Sequence, residues 1–433
     1  MSTQTALPGS HFSYRHGELF CENISVKMLA RRYGTPLYVY SQAEILQALA
    51  KYENSLKDWP HLICYAVKAN SNFSILQLLA QHGCGFDIVS GGELLKVKAA
   101  GADMGKVTYS GVGKTEEEIR LALRSEIKSF NVESASELNR LSRLAAQVSK
   151  QARISIRINP DVNAHTHPYI STGLKENKFG VSPQVAFSLY RQAKEDPWLC
   201  PIGIDCHIGS QLTEISPYIQ ACETVVNLLD RLTREGIYLE HIDFGGGVGV
   251  RYRDEPVIDL AALTKELHTI LAQRGYGHLS MIFEPGRSIV ASSGLLIGQV
   301  QYIKTTETKN FLISDTAMTE MIRPALYQAW MPILEVSAKP QLQEKLYDIV
   351  GPVCESSDWL GKQRALKIAE GDYFAVAMAG AYGMSMASTY NCRNLPAEIL
   401  VDRDRYRQIR RRLPVEDQWA AEMPETITEK ALG

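Results

Sequence analysis

The sequence predicts a (β/α)8 barrel of the TIM type combined with a second, β-rich domain. From Leu62 to Arg287 short β-rich runs alternate with stretches of helical periodicity, which is typical of a parallel α/β architecture. Beyond Gly294 strand-like runs dominate instead. A chain of 433 residues is also too long for one ordinary hydrophobic core, so two domains are expected.

The composition excludes several classes of protein. A net charge of −2 gives no electrostatic case for binding nucleic acid or an anionic membrane. Residues 1–8 lack the apolar core of a signal peptide, and the stretch 289–300 is too short to span a bilayer. The eight cysteines show neither a C-x-x-C pair nor zinc-ligand spacing. We therefore predict a reduced, cytoplasmic protein without a metal site.

The first elements in chain order are a hairpin and a helix. The segment from Phe12 to Cys21 alternates apolar and polar residues around His16-Gly17, as a β-hairpin does. Ser25 and Gly34 then occupy the N-cap and C-cap positions of a helix. We assign residues 10–37 to the β-rich domain and expect residues 1–9 to be flexible.

Eight β-rich runs form the predicted barrel, over residues 38–290. They lie at Leu62–Lys68, Phe86–Ser90, Val107–Ser110, Ser129–Glu133, Arg153–Asn159, Gly203–His207, His241–Gly245 and Met281–Glu284. The segments 116–123, 136–148 and 218–235 have the apolar spacing of amphipathic helices. Polar residues stand at the end of each run, and in barrels the chemistry lies on the loops after the strands. One active-site rim is therefore expected.

The β-rich domain continues through residues 291–422. Its predicted strands lie at Leu296–Ile303, Asn310–Ile313, Leu346–Val350, Tyr373–Ala377 and Glu398–Val401. A basic run of four arginines, at positions 407, 410, 411 and 412, is interpreted as one solvated helix face. Residues 423–433 are expected to be a flexible tail.

Lys68 is the first candidate for catalysis. It ends an apolar run of strand type, and burial there would lower the pKa of its amine toward the range in which a neutral amine attacks a carbonyl. A lysine that forms a Schiff base needs this property. Taken alone, however, a strand-terminal lysine more often extends to solvent.

A glycine cluster supplies a candidate phosphate site. Gly245, Gly246 and Gly247 follow the seventh run, where a barrel commonly binds phosphate, and glycine lets the backbone N–H groups approach an anion. The spacing is not that of a dinucleotide fingerprint. A lysine for an aldehyde and a phosphate site together point to pyridoxal phosphate. Glu284 would face its ring nitrogen and His207 could lie against the ring, although a core histidine is the alternative for His207.

Seven motifs, in this order, resemble those of a known family. Four are similar to fold-type III pyridoxal-phosphate decarboxylases, which share the architecture of alanine racemase: Tyr65–Asn70, His207–Gln211, Gly245–Gly249 and Glu284–Arg287. The remaining three resemble diaminopimelate decarboxylases: Arg323–Tyr327, Cys354–Ser356 and Gly380–Gly383. That family converts meso-2,6-diaminopimelate to L-lysine and carbon dioxide, the last step of bacterial lysine biosynthesis. The similarity extends from about residue 12 to about residue 421.

The resemblance implies roles for individual residues. Lys68 would form the Schiff base, His207 would stack on the ring and Cys354 would be the proton donor. The residues expected to contact the cofactor are Lys68, Asp87, His207, Ser210, Gly246, Gly247, Glu284, Gly286, Arg287 and Tyr382. Those expected to contact the substrate are Arg287, Arg323, Tyr327, Glu355 and Tyr382. Cys354 and its neighbours would reach the active site of a partner subunit, so a homodimer is implied.

The substrate candidates differ in what they require at the end remote from the cofactor. Arg287 and Arg323 suit a distal carboxylate, and Glu355 suits a distal ammonium, which favours diaminopimelate. Related decarboxylases that act on ornithine, arginine, carboxynorspermidine or a siderophore intermediate are the alternative. Glu284 argues against a racemase, and a relative that only binds partners would lack Lys68 or Cys354.

Overall fold

The computed structural model describes residues 7–162 and 177–423. Its first elements form a small antiparallel sheet of β1 (Phe12–Arg15), β2 (Glu18–Cys21) and β3 (Ile24–Ser25). His16 and Gly17 form the turn, with positive φ angles of 49° and 77°, and the predicted hairpin is confirmed.

The helix α1 (Val26–Tyr33) follows, and its predicted caps are confirmed. The Ser25 side chain accepts a hydrogen bond from the Met28 N–H, and Gly34 has a φ of 70°. A separate hydrophobic cluster packs β1, β2 and α1 against the second, larger sheet. The next two elements are β4 (Leu37–Ser41) and α2 (Gln42–Leu56).

A closed parallel barrel of eight strands confirms the predicted fold class. Its strands are β5 (His61–Ala66), β6 (Gly85–Ile88), β7 (Val107–Tyr109), β8 (Ser129–Val132), β9 (Ala152–Arg157), β10 (Leu199–Asp205), β11 (His241–Asp243) and β12 (Ser280–Phe283). They pair in chain order, and β12 closes the barrel against β5. Strand ends therefore meet at one rim.

Helices between the barrel strands cover its outside. They are α3 (Phe73–Gln81), α4 (Gly91–Ala99), α5 (Glu116–Ser125), α6 (Ala135–Val148), α7 (Pro183–Glu195), α8 (Ser216–Arg234) and α9 (Leu260–Gln273). A serine, threonine, asparagine or aspartate side chain caps most of them, and Thr115 forms a full capping box with Glu118. These caps fix where each loop of the rim ends.

The second sheet has nine strands. After the short helix α10 (Arg287–Val290) its strands are β13 (Gly294–Thr305), β14 (Asn310–Ser314), β15 (Ile333–Glu335), β16 (Lys345–Val350), β17 (Trp359–Leu366), β18 (Tyr373–Val376), β19 (Ala397–Asp402) and β20 (Arg405–Arg410), with α11 (Arg323–Tyr327) and α12 (Glu416–Trp419) beside them. The main path runs β17-β16-β14-β13-β4-β19-β20, and β18 joins β13 to β15.

Strand β4 lies in this sheet although the predicted barrel domain begins at residue 38. It pairs with β13 in antiparallel and with β19 in parallel fashion, and all five of its residues are buried. Its partners lie more than 250 residues away in the chain, so local periodicity gives no sign of the pairing.

The interpretation of the basic run as a helix face is wrong. Arg407 and Arg410 lie on β20, which pairs with β19 in a hairpin that turns at Arg403, where φ is 57°. The Arg410 guanidinium donates to the buried Glu398 carboxylate. Pairing with a neighbouring strand and a buried acid thus overrides the local charge pattern.

Two further expectations concern the chain ends and membranes. The predicted flexible segments fall mostly on residues 1–6 and 424–433, which lie outside the described residues. Among the helices of the described ranges, none is long and apolar enough to cross a bilayer.

Candidate active site

A cavity of about 180 Å³ lies at the carboxyl ends of the barrel strands. It is lined by Ala66, Lys68, His207, Gly209, Ser210, Gly246, Gly247, Val248, Glu284, Gly286, Arg287 and Tyr382. Nine of the ten residues expected to contact the cofactor are among them, and Asp87 contacts Lys68 beside the cavity. Strands far apart in the sequence are thus joined at one point, as the polar strand ends predict.

Lys68 makes an ion pair with Asp87. Its Nζ atom lies 2.5 Å from Asp87 Oδ2, and the Asp87 side chain is fully buried whereas 37% of the Lys68 side chain is exposed toward the cavity. Burial alone would lower the pKa of the Lys68 amine, but the charges of Asp87, Tyr382 and Glu284 raise it above its ordinary value. The predicted lowering of the Lys68 pKa is therefore wrong for the free amine, because the nearby negative charges, that of Asp87 first, outweigh the effect of burial.

The glycine cluster is shaped by close contacts that leave no room for side chains. A Cβ atom on Gly245 would lie 2.3 Å from His207 Nδ1, and one on Gly246 would lie 2.3 Å from the Glu284 carbonyl oxygen. The Gly246 N–H also donates to His207 Nδ1 at 3.1 Å. Glycine at these positions brings the loop against His207 and against the Glu284 backbone at once.

His207 is held as a neutral imidazole. Desolvation lowers the pKa of its ring well below the ordinary value, and the positive charges of Arg157 and Lys68 act in the same direction. With Nδ1 accepting the hydrogen bond from Gly246, the ring keeps a fixed orientation at the cavity wall.

Glu284 lies within a cluster of buried carboxylates. Carboxylate oxygens of Glu284, Asp205 and Asp243 all lie within 4.8 Å of one another, and Thr108 Oγ1 donates to Glu284 Oε1 at 2.9 Å. Burial, with repulsion from the neighbouring acids, raises the pKa of Glu284 and Asp205 well above ordinary values and that of Asp243 to about 6. The three acids therefore bind their protons more tightly than exposed carboxyl groups do.

Arg157 connects this cluster to the next strand. Its Nη1 atom lies 3.2 Å from Glu133 Oε1 and its Nε atom lies 3.7 Å from Asp205 Oδ2, with all three side chains buried. Among the residues described, Arg157, Asp205 and Asp243 have no predicted site role. Arg157 and Asp243 end strands within the rim pattern, which is the one sequence signal for them.

Arg287 and Arg323 both contact a buried tyrosine, Tyr252. Arg287 donates from Nη1 to the Tyr252 hydroxyl at 2.9 Å and from Nη2 to Ser210 Oγ at 3.1 Å. The Arg287 guanidinium lies 4.8 Å from the centre of the Tyr382 ring, and that of Arg323 lies 4.5 Å from the Tyr252 ring. Tyr327 is on the same short helix as Arg323.

Besides Asp87, four predicted site residues do not line the cavity: Arg323, Tyr327, Cys354 and Glu355. Arg323 is connected to the cavity wall through Tyr252, which contacts Arg287. Within the described residues, Cys354 and Glu355 have no such connection, and both are exposed. Glu355 Oε1 accepts a hydrogen bond from the Tyr390 hydroxyl at 2.9 Å, and Ser357 Oγ donates to Glu355 Oε2 at 3.1 Å. The two residues thus lie on an ordered outer surface of the β-rich sheet.

Comparison with known proteins agrees with this geometry. The family described as "Pyridoxal-dependent decarboxylase, pyridoxal binding domain" matches residues 42–291. The diaminopimelate decarboxylase of Haemophilus influenzae is 50% identical over 415 residues, which cover 95% of this chain and 99% of that protein. The chain belongs to the diaminopimelate decarboxylase family.

Solved structures of diaminopimelate decarboxylases have the same fold. The Helicobacter pylori enzyme in complex with L-lysine is 44% identical, has a TM-score of 0.88, and is matched over 92% of this chain and 98% of that one. The enzyme of M. jannaschii is 36% identical with a TM-score of 0.92, over 97% and 99% of the two chains. Barrel and β-rich sheet are therefore both common to these diaminopimelate decarboxylases.

Pyridoxal phosphate, the cofactor of this decarboxylase family, fits the residues present. The glycine backbone forms a cradle that any Cβ would fill, and Lys68 offers an amine to an aldehyde. Within the described ranges, Arg287 Nε is buried without a hydrogen-bond partner. Glu284 lines the cavity, where a carboxyl group can share a proton with a ring nitrogen.

Proposed function

We propose that this protein removes one carboxylate from meso-2,6-diaminopimelate and releases carbon dioxide and L-lysine, the last step of bacterial lysine biosynthesis. The observation that carries the proposal is the distribution of charge around the cavity. An amine and a cluster of buried acids with raised pKa values lie at its base, and the buried Arg287 guanidinium lies at its wall. A second buried guanidinium, Arg323, lies against Tyr252, which contacts Arg287. A substrate with a second, remote carboxylate suits this arrangement.

Several groups would hold the cofactor. Lys68 would bind it through Nζ, the backbone of Gly246 and Gly247 with Ser210 would bind its phosphate, and Glu284 would meet its ring nitrogen. Pyridoxal phosphate, when bound, supplies an aldehyde for amino groups and a ring that withdraws electrons from the bond to the departing carboxylate. Asp87 and Gly286 stand beside these groups and complete the predicted contacts.

The protein's own residues then orient groups and move protons. The neutral imidazole of His207 would lie against the cofactor ring, which keeps water from that face. Asp87 holds the Lys68 amine as an ammonium whenever that amine is free. Cys354 would deliver a proton from Sγ to the carbon that has lost its carboxylate.

The residues expected to contact the substrate would recognise the end of the substrate that is remote from the cofactor. Arg287 and Arg323 would bind the distal carboxylate, Glu355 the distal ammonium, and Tyr327 and Tyr382 would line the path between them. Ornithine and arginine carry no distal carboxylate, so they would leave two buried guanidiniums without an anion. The alternative substrates are therefore not favoured.

The position of the proposed proton donor supports a homodimer. Cys354 and Glu355 face outward from their own chain, so they can serve a cavity only if it belongs to another copy. A symmetric dimer would place each pair in the partner's site. The division into a barrel domain (38–290) and a β-rich domain (10–37 and 291–422) is also part of the proposal. So is a cytoplasmic location. None of the eight cysteines, all within the described ranges, is in a disulfide, as is usual for proteins of the reducing cytoplasm.

Replacement of Lys68 tests the proposed function. Lys68→Ala should abolish both covalent attachment of the cofactor and release of carbon dioxide from meso-diaminopimelate, because no other lysine lines the cavity within the described residues. Lys98→Ala, an exposed lysine on α4, is the control and should leave both unchanged. Retained turnover in Lys68→Ala would overturn the proposal.

A further inference from the structure

We propose that Tyr252, buried against Arg287 and Arg323, is a positioning residue that sets both guanidiniums for one distal carboxylate and so determines substrate specificity. The inference rests on the proposed function and extends it to a residue outside the predicted site. Tyr252 does not line the cavity, so it acts through the two arginines.

Tyr252 is held in place by its own loop. Its side chain is 7% exposed, and its N–H donates to Glu255 Oε2 at 2.9 Å, as does that of Arg253 at 2.7 Å. Just before it, Val250 exchanges two hydrogen bonds with the Gln211 side chain, at 2.6 and 3.1 Å. The loop after β11 is thereby fixed to the loop after β10.

One side chain contacts the two arginines in two different ways. The Tyr252 hydroxyl accepts a hydrogen bond from Arg287 Nη1 at 2.9 Å, whereas the Arg323 guanidinium lies 4.5 Å from the centre of the ring. The oxygen and the π face both carry partial negative charge. A single tyrosine therefore contacts both cations.

Within the described residues, neither arginine forms an ion pair with a carboxylate. Arg287 and Arg323 are 8% and 7% exposed, and in the described part of the chain no carboxylate lies within 4.0 Å of either. Arg323 Nη1 instead donates to the sulfur of Met331 at 3.1 Å, a weak acceptor. Two buried, acid-free guanidiniums are a prepared site for a carboxylate.

The positive charges of Arg287 and Arg323 repel each other, and the Tyr252 hydroxyl weakens this repulsion. Burial, together with repulsion from Arg287, lowers the pKa of Arg323, while Tyr252 acts against this fall. The two arginines in turn lower the pKa of the Tyr252 hydroxyl despite its burial. The phenol thus reduces repulsion that would otherwise drive the guanidiniums apart.

This arrangement separates ligands by their remote carboxylate. L-Lysine, formed by loss of one carboxylate from meso-diaminopimelate, keeps the carboxylate at its other end. 1,5-Diaminopentane has the same carbon chain between two amines and no carboxylate. Tyr252 should therefore matter for meso-diaminopimelate and L-lysine and be without effect on 1,5-diaminopentane.

The test compares wild type and Tyr252→Phe as cofactor-loaded enzymes. Tyr252→Phe keeps the ring beneath Arg323 and removes the oxygen that Arg287 contacts. We expect KM for meso-diaminopimelate and the inhibition constant of L-lysine to rise about 10-fold or more, since the charged Arg287 guanidinium loses the hydroxyl that accepts its hydrogen bond. We expect kcat and the inhibition constant of 1,5-diaminopentane to change less than about 3-fold. Tyr238→Phe, at a tyrosine that is 74% exposed, is the matched control.

Two results would overturn the inference while leaving the proposed function intact. One is an equal loss for L-lysine and 1,5-diaminopentane, which would show a general structural effect. The other is no loss for L-lysine, measured also by calorimetric titration so that turnover is not needed. Wild-type protein that fails to decarboxylate meso-diaminopimelate would instead overturn the proposed function and, with it, this inference.

Discussion

Lys68 Nζ and Asp87 Oδ2 are 2.5 Å apart and join two neighbouring barrel strands at the base of the cavity. Asp87 is fully buried, so its charge is compensated by this ammonium. The pair keeps the lysine protonated when its amine is free, and removal of the negative charge should leave desolvation as the dominant influence on that amine.

Asp87→Asn should therefore lower the pKa of the Lys68 amine. Because only the neutral amine attacks an aldehyde, the pH at which half the maximal rate of cofactor attachment is reached should move to lower pH. The measurement is the rate of appearance of visible absorbance when cofactor is added to apoprotein across a pH series. Asp58→Asn, an exposed change of the same kind, should leave the profile unchanged. A shift to higher pH in Asp87→Asn would contradict the account.

Asp243 should make stability fall as the pH rises. Burial, with repulsion from Asp87, raises its pKa from 3.8 to about 6, so the folded protein keeps a proton that the unfolded chain has lost in this interval. The contribution of Asp243 to the free energy of unfolding is therefore complete below pH 3.8. It decreases at higher pH and is lost as the pH rises through about 6. Asp243→Asn cannot titrate and should gain on the order of 1 kcal/mol or more relative to wild type between pH 4.5 and pH 8.

Urea unfolding of the apoprotein at the two pH values measures this difference. Asp58→Asn, the same change at an exposed position, is again the control. A variant whose stability relative to wild type is the same at both pH values would show that Asp243 is ionised in the folded protein.

Cys354→Ala should reduce kcat by about 10²–10⁴-fold, the usual contribution of a general acid. Cys392→Ala is a close control, because both cysteines are exposed and free on the β-rich part of the chain. Initial rates of carbon dioxide release from meso-diaminopimelate measure both variants. A near-normal rate in Cys354→Ala would assign the proton to another group, of which Tyr382 at the cavity wall is the next candidate.

Mixing two inactive variants tests whether sites are shared between subunits. In the proposed dimer each site takes Lys68 from one subunit and Cys354 from the other. Lys68→Ala and Cys354→Ala each remove one of these two groups. After joint refolding in equal amounts, about a quarter of all sites should contain both an intact lysine and an intact cysteine, if the dimer is symmetric. Recovery of about a quarter of wild-type activity is expected, and no recovery at all would contradict the shared site.

Much of the fold follows from local patterns. All eight barrel strands and the five strands predicted for the β-rich part are present, because each combines β-forming residues with turn signals at its ends. Strands β4, β15 and β17 were missed, as were the two-residue β3 and the strand within the basic run. The partners of β4 and β15 lie far away in the chain, so no local periodicity marks these strands. Strands β17 and β20 pair in hairpins with β16 and β19, but the charged and polar residues along both hide their strand pattern.

Some residues of the site could likewise be predicted from the sequence, and others could not. Lys68, Glu284 and the glycines stand out in the sequence because their chemistry is unusual at the end of an apolar strand. Tyr252 and Asp205 do not stand out, since a tyrosine in a loop and an acid at a strand end have ordinary explanations. Their significance arises from distances to Arg323 and Glu284, which only the folded chain supplies.

The most direct test of the central claim is carbon dioxide release by the purified, cofactor-loaded protein with each of four substrates. These are meso-diaminopimelate, ornithine, arginine and carboxynorspermidine, compared by kcat/KM. We predict that meso-diaminopimelate is preferred by about 10³-fold or more, because the others leave Arg287 and Arg323 buried without a carboxylate. An equal or higher kcat/KM for any of the other three would contradict the assignment of the substrate while leaving the fold and the cofactor in place.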